Sequence, residues 1–582
     1  MAHRLSRSAR GLLAVGAIGL GGYWYDRQVQ ASSLTRTLRT LYANVMIIVD
    51  YKWNFQPGKA DRINDLHSRV ARRVLDVCEK NGGLYIKFGQ AVALYSTILP
   101  PQYNQIFKTM YDEAPSIPYA EVVRIFECEF GRRPEDLFAE FEAEPVASAS
   151  IAQVHRARLR CADGYGAWVA VKVQKPAIAT QMDWDLATIR WVVKGLEWAF
   201  DLPLTWSLEY TCDHIRQEID FINEGRNAER ARSNVNQDAK LARHLYIPRV
   251  YWEYTRRRIM TAEWIEGTRL SQLKGGQAGT DFYRPAEVMN TLVSAFASQI
   301  FVHGFVHADP HPGNIILRRH PSDPRTYQAV LIDHGLYLRE DERFRNEYCR
   351  LWTSLLLMDM RTVRGLCARW GVGDPDMLAS FTLLRPFRSQ GSPAHLQAAV
   401  SREELYQMQL NMKQNIHHFL TDTERFPKDL IFIGRNMNMV RGLNKMLGSP
   451  VNRIGIMADY AARGLGAHWQ AWTDSERSLG DGRRRLPAAW GSEGLLHAPG
   501  RYLGALGRYL ATYVMARLGY YTFRFNLALV SLTFSAYGLW SAAMERLTGR
   551  EARNIEQVMD DSIINAVEQQ LGYKIDTSIF EA

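Results

Sequence analysis

His307-Ala308-Asp309-Pro310-His311-Pro312-Gly313-Asn314, followed by Leu331-Ile332-Asp333-His334-Gly335, decides how the rest of the chain is read. The first stretch has the spacing H-x-D-x-x-x-x-N, and the second is D-F-G with histidine in the middle position. Phosphoryl transfer leaves little covalent work to a protein, so its loops hold magnesium, orient a hydroxyl and neutralise charge. Asp309 is therefore the expected base. Asn314 and Asp333 are the expected metal ligands, because a hard cation takes oxygen donors. Asp-Pro-His-Pro-Gly-Asn alone is turn-like by composition, but two such loops in this order are hard to obtain by chance. His307 and His311, with prolines between and beside them, read as loop-shaping hydrogen bonders rather than a metal pair.

The same chemistry requires a lysine on an upstream strand, and Trp168-Val169-Ala170-Val171-Lys172-Val173 supplies an apolar β-type run close to V-A-I-K. Lys172 is the expected contact for the α- and β-phosphates of ATP. Ahead of it lie Val146, Ala147, Ser148, Ala149, Ser150, Ile151, Ala152, Gln153 and Val154, where a glycine-rich phosphate loop belongs. Alanine and serine replace the glycines, so amides can approach phosphate with less backbone freedom. An acidic partner for Lys172 comes from Gln217 to Glu229, where Glu218, Asp220 and Glu224 lie close together and spacing does not choose between Glu218 and Glu224. Tyr85-Ile86-Lys87-Phe88-Gly89-Gln90 reads as an amphipathic helix with a tolerated glycine. The strand Ala262 to Gly267 is the expected hinge, with the backbone at Glu263 and Ile265 taking adenine's edge.

With these elements in place, the chain resembles the UbiB or aarF-domain group of atypical kinase-like proteins over roughly residues 60 to 450, and within it the mitochondrial branch with Asp-His-Gly. The resemblance implies an α+β, bilobal protein-kinase-like fold with an N-terminal K-x-G-Q helical extension and additional C-terminal helices. It implies that Glu224 pairs with Lys172. It also implies that Glu218 and Asp220 engage Lys87, in a helix ending at Gln90 that covers the place where ordinary kinases admit peptide. ATP and Mg2+ are the implied cofactors, and quinone and mitochondrial lipid homeostasis the implied setting. No A-P-E or activation segment follows Gly335, which argues against protein substrates. A kinase or ATPase and a catalytically silent nucleotide-binding scaffold both fit.

Composition agrees with a large folded core: 47% hydrophobic and 23% charged residues over 582 positions. The net charge of +10 favours anionic partners such as lipid headgroups or nucleotide, and nucleic acid is not expected because no basic run interleaved with aromatics appears. Six cysteines without a C-x-x-C pair argue against structural zinc and a disulfide scaffold.

Residues before Asp26 carry His3, Arg4, Arg7 and Arg10, no acid, and an apolar run from Gly11 to Tyr25. That matches a mitochondrial presequence with a retained inner-membrane anchor, a secretory signal being the competing reading. The expected location is the inner mitochondrial membrane, facing the intermembrane space, with anionic lipid and a quinone or lipid ligand as partners. The expected layout is a presequence or anchor at 1–30, a helical extension at 31–135, an N-lobe at 136–267, a helical C-lobe at 268–472, a linker at 473–500 and a C-terminal helical region at 501–582. Within the last, 525–543 reads either as membrane-associated or as a buried helical hairpin.

Overall fold

The computed structural model describes residues 24–27, 31–56, 59, 62–94, 101–107, 115–161, 164–201, 205, 208–273, 282–384, 422, 424–478 and 540. The expected 501–582 region, all but Trp540, and most of the expected anchor lie outside the described residues. Among those described, no helix is long and apolar enough to cross a membrane.

Helices α1 (Ser33–Asn54), α2 (Ile63–Asn81), α3 (Leu84–Leu94) and α4 (Pro101–Phe107) form a helical extension, and α5 (Tyr119–Phe130) leads into a sheet. That sheet begins with β1 (Phe138–Phe141), β2 (Ala147–Ser148), β3 (Ala152–Cys161) and β4 (Gly164–Gln174). Helices α6 (Pro176–Phe200), α7 (Leu208–Glu218) and α8 (Phe221–Asn236) and strand β5 (Leu245–Tyr246) intervene before β6 (Ile259–Glu263) completes it. The strand order is β1-β3-β4-β6, with β2 on β3. Alternation explains its two faces: Val169, Val171 and Val173 are fully buried against Val122, Ile125 and Phe126 of α5, while Ala170 and Lys172 point the other way.

The larger lobe contains β7 (Thr268–Arg269), α9 (Pro285–Ser298), β8 (Phe305–His307), β9 (Ile315–His320), β10 (Asp323–Leu331), β11 (Tyr337–Arg339), α10 (Glu342–Leu356), α11 (Met360–Arg369), α12 (Pro375–Leu383), α13 (Asp429–Met446) and α14 (Arg453–Ser478). Its core gathers Phe301, Phe305, Tyr348 and Trp352. The lobe is less purely helical than expected, because β5-β10-β9-β7 form a second sheet and β8 pairs with β11. Buried Ile315, Leu317, Ala329, Val330 and Leu331 account for that sheet. Helix α14 runs to Ser478, past the expected start of the linker. The architecture is α+β and bilobal, the class read from the sequence.

Two glycines meet local demands of the fold. Gly304 adopts φ +57°, a left-handed turn that ends the helix before β8, where a side chain would be strained. Gly267 lets the hinge approach β9: a Cβ there would lie 2.5 Å from Ile316 Cγ2 and 2.7 Å from the Leu317 carbonyl oxygen.

Candidate functional site

The alternation that buries the valines of β4 turns Lys172 toward α8. Helix α8 starts where Asp220 accepts the Ile222 amide at 3.0 Å, an N-cap that fixes Glu224 in the first turn. Lys172 Nζ donates to both Glu224 oxygens at 2.7 and 2.8 Å, lies 5.2 Å from the centre of the Phe221 ring and stands 3.8 Å from Asp333 Oδ1. Burial works against its ammonium, but Asp333 and Glu224 outweigh burial and hold Lys172 above its ordinary range. Gly225 permits α8 to sit against Trp252, since a Cβ there would fall 2.9 Å from the indole, and Trp252 Nε1 donates to Glu229 at 2.6 Å.

The two acidic loops are joined through histidine. Strands β8 and β11 pair with His307 opposite Tyr337, so Asp309 leaves one strand beside the point where Asp333 approaches the other. The Asp309 amide donates to His307 Nδ1 at 3.0 Å, and His307 Nε2 donates to the Asp333 carbonyl at 2.7 Å. His334, buried in the D-x-G position where phenylalanine is usual, accepts from Tyr337 Oη at Nδ1 and donates from Nε2 to the Leu331 carbonyl, both at 3.0 Å. Burial, with His307 adding to it, pushes its pKa down to about 3, so the ring stays neutral. Asn227 on α8 donates to the His334 carbonyl at 3.2 Å. The Gly335 amide donates to Asp333 Oδ1 at 3.0 Å. Burial would raise Asp333, but Lys172 and Lys87 hold its carboxyl far below the usual range. Asn314 donates to the Asp309 carbonyl at 3.4 Å, and His311 accepts the Gly313 amide at 3.1 Å, the loop-shaping bond expected of it.

Two further cations face these acids. Lys87, on α3, forms a hydrogen-bonded ion pair with Glu218 at the end of α7. Burial opposes its charge, yet Glu218, Asp309 and Asp333 together raise it above the ordinary lysine range. Asp220 departs from expectation, because its carboxylate caps α8 and lies 3.9 Å from Arg257. Among the described residues Glu218 is the carboxylate that pairs with Lys87. The Gln90 side chain lies outside the described residues. The second cation is Arg435, on α13, whose Nη2 donates to Asp309 Oδ1 at 2.8 Å. Burial works against ionisation of Asp309, but Arg435 and Lys87 hold its carboxyl low. The next residue, Asn436, donates to the His307 carbonyl at 2.6 Å and is fully buried. Sequence reading missed both; the signal was the polar pair Arg435-Asn436 interrupting the apolar side of a helix.

The alanine loop divides between two tasks. The Ala149 amide bonds the Ala152 carbonyl at 2.8 Å, closing a tight turn between β2 and β3. Lys175, also unread in the sequence, reaches under it to donate to the Ala149 carbonyl at 2.6 Å and the Pro115 carbonyl at 2.8 Å, and burial pushes its pKa down to about 8. The side chains of Ile151 and Ala152 belong to the core, and that of Gln153 is fully buried between Ile117 and His155. Alternation forces the split, since neighbouring residues of a strand cannot share a face. Val146 is exposed and Val154 pairs with Lys172 across the sheet. At the hinge, Glu263 accepts from Tyr246 Oη at 2.5 Å, Trp264 donates to the Trp168 carbonyl at 3.2 Å and the Ile265 side chain is buried.

Residues 109–366 match the ABC1 atypical kinase-like domain. An ABC1 family protein of Schizosaccharomyces pombe is 40% identical, over 77% of this chain and 82% of its own length. AarF domain-containing protein kinase 1 of Xenopus tropicalis is 32% identical, over 71% of this chain and 77% of the relative. AarF domain-containing kinase 1 of Drosophila melanogaster is 31% identical, over 75% and 86% respectively.

Proposed function

Because the chain belongs to the ABC1 or aarF-domain family of atypical kinase-like proteins, we propose that it binds Mg-ATP between the Lys172 face of the small sheet and the loops bearing Asn314 and Asp333. The observation that carries this reading is the triangle in which Lys172 bonds Glu224 and stands 3.8 Å from Asp333. It presents one fixed ammonium to phosphate and one ionised carboxylate to a cation. Magnesium would need only one or two protein oxygens here, together with phosphate oxygens. Asn314 spends its nitrogen on the Asp309 carbonyl and keeps its amide oxygen for the cation. When bound, magnesium neutralises charge developing on the transferred phosphoryl group.

In this reading Lys172 orients phosphate, Glu224 fixes Lys172, and Asp309 accepts the proton of a hydroxyl or of water. The expected activity is that of a kinase or ATPase on a small lipid-like acceptor, in support of lipid and coenzyme Q homeostasis at the mitochondrial inner membrane. The pairing of Lys87 with Glu218 beside Asp309 and Asp333 favours small acceptors over peptides, because α3 stands at the acceptor side. A second reading, a nucleotide-binding scaffold without turnover, draws on the Arg435–Asp309 ion pair, which occupies the expected base.

The test is nucleotide binding by the purified protein with and without Mg2+, beside Asp333→Asn. The variant should keep its fold and lose at least about tenfold in Mg-ATP affinity, since a carboxylate ligand is removed from a hard cation. Unchanged affinity would falsify the proposed site. Binding without any ATP consumption selects the scaffold.

A further inference from the structure

Outside the nucleotide site, the largest anomaly is apolar surface facing solvent on α1 and α6. On α1, Leu34, Leu38, Tyr42, Val45, Val49 and Trp53 are exposed at steps of three and four residues, a continuous helical stripe. The opposite side of α1 is polar and buried: Arg36 pairs with Asp185, Thr37 bonds Thr188 at 2.9 Å, and Asn44 lies against Gly195 of α6. The helix is thus inverted relative to an ordinary surface helix. Its one acid, Asp50, is turned inward to Arg69 and Arg73 at 2.7 and 3.2 Å, so the stripe is free of negative charge.

Helix α6 extends the same surface. Trp184, Trp191 and Trp198 recur every seventh residue and are 44%, 57% and 85% exposed. Each stands three or four positions from Thr188 or Gly195, the residues that meet α1, so the tryptophan row borders α1 along its length. Lys52, Lys194 and Arg27 are exposed at its edges, and the one exposed acid of α6, Asp183, lies 4.0 Å from Arg216.

The chain's own start joins this face. Buried Asp26 accepts the Leu34 amide at 2.8 Å and the Thr35 amide and hydroxyl at 3.0 and 2.7 Å, which ties exposed Trp24 and Tyr25 to the first turn of α1. The segment before them is basic, acid-free and apolar from Gly11 onward.

We propose that the α1–α6 face lies flat on an anionic lipid bilayer. Soluble proteins rarely expose apolar patches of this extent unless they are interaction sites. Tryptophan and tyrosine suit the headgroup level. An apolar stripe with a cationic margin is the signature of an element that rests in the interface rather than crossing it. The basic, acid-free leader sequence of residues 1–23 precedes Trp24 in the chain, next to the first turn of the stripe. This surface is independent of the nucleotide site.

The test uses the full chain with vesicles of phosphatidylcholine, with and without phosphatidylglycerol, read by flotation and by hydrogen exchange of 33–54 and 176–200. Expected are flotation with anionic vesicles and new protection of both helices. In Leu38→Glu/Val45→Glu/Trp191→Ser, partition should fall at least about tenfold and the protection should vanish, with an unchanged melting temperature. A second variant, Lys52→Glu/Lys194→Glu, should keep the apolar contact and lose the preference for phosphatidylglycerol. Three results overturn the proposal: flotation while both helices stay unprotected, which leaves the leader alone as the membrane element; protection without vesicles at every concentration, which means that another segment of the chain covers the face; and protection that rises with protein concentration, which means a second copy does.

Discussion

The acids of the central cluster are matched by cations: Asp309 has Arg435, Glu224 and Asp333 share Lys172, and Glu218 has Lys87. Removing Lys87 therefore leaves the two loop aspartates neutralised by their other partners. Lys87→Ala is expected to raise basal ATP consumption several-fold with little change in Mg-ATP affinity, because it opens the acceptor side without stripping the phosphate contacts. Equal turnover and equal affinity in variant and wild type would remove Lys87 from any gating role. His334 gives a second prediction. Its folded pKa of about 3 lies below its ordinary value of 6.5, so as pH falls below 6.5 the unfolded chain takes up a proton that the folded chain refuses. Stability is then lost down to about pH 3 at up to about 1.4 kcal/mol per pH unit from this residue. His334→Phe should melt less steeply with acid over that window. At neutral pH it should be about 1 kcal/mol less stable, because Tyr337 loses its acceptor. Thermal melts between pH 4 and 7 check both, and parallel pH profiles would exclude His334 as the source of acid sensitivity.

Among the elements, α8 shows how local sequence positions chemistry at a distance. Lys172 and Glu224 are 52 residues apart in the chain and 2.7 Å apart in space. The valine alternation of β4 says which way Lys172 points, but the choice among Glu218, Asp220 and Glu224 depends on where α7 stops and α8 starts. Asp220 occupies that break as an N-cap, a role that a cluster of acids in sequence conceals. Asp220→Ala should cost about 1 kcal/mol in urea unfolding while leaving the Lys87–Glu218 pair intact. A loss of Lys87-dependent behaviour in this variant at unchanged stability would restore Asp220 to the gate. Arg435 was not legible because its significance needs α13 folded back on β8, more than a hundred residues away in the chain. The second sheet was equally hidden, since short apolar runs such as Ile315 to Leu317 fit helix or strand alike until their partners are known.

For the whole molecule, the decisive joint is between the helical extension and the rest. Arg36 and Asp185 form an ion pair with both side chains buried, and the Arg36 guanidinium also lies 5.3 Å over the Tyr85 ring, two residues before Lys87. One contact thus ties α1, α6 and α3 together. Asp185→Asn leaves a buried guanidinium without its counter-charge and should cost about 3–5 kcal/mol, with faster hydrogen exchange across 84–89. Full stability with unchanged exchange there would show that α3 is held by other means. The bilobal plan itself was readable from two loops and a lysine, because phosphate chemistry dictates their order.

The histidine joint between the loops has a pharmacological consequence. Many small molecules act by driving an aspartate-bearing loop of this kind out of its pocket and filling the space behind it. Here such a swing must break four hydrogen bonds at once: His307 to the Asp333 carbonyl, both bonds of the His334 ring and Asn227 to the His334 carbonyl. At about 1 kcal/mol each, the displaced arrangement lies roughly 4 kcal/mol uphill, a population near one in a thousand. Compounds that need it forfeit that much affinity, so inhibitors of this protein are better sought among those that accept the loop where it stands.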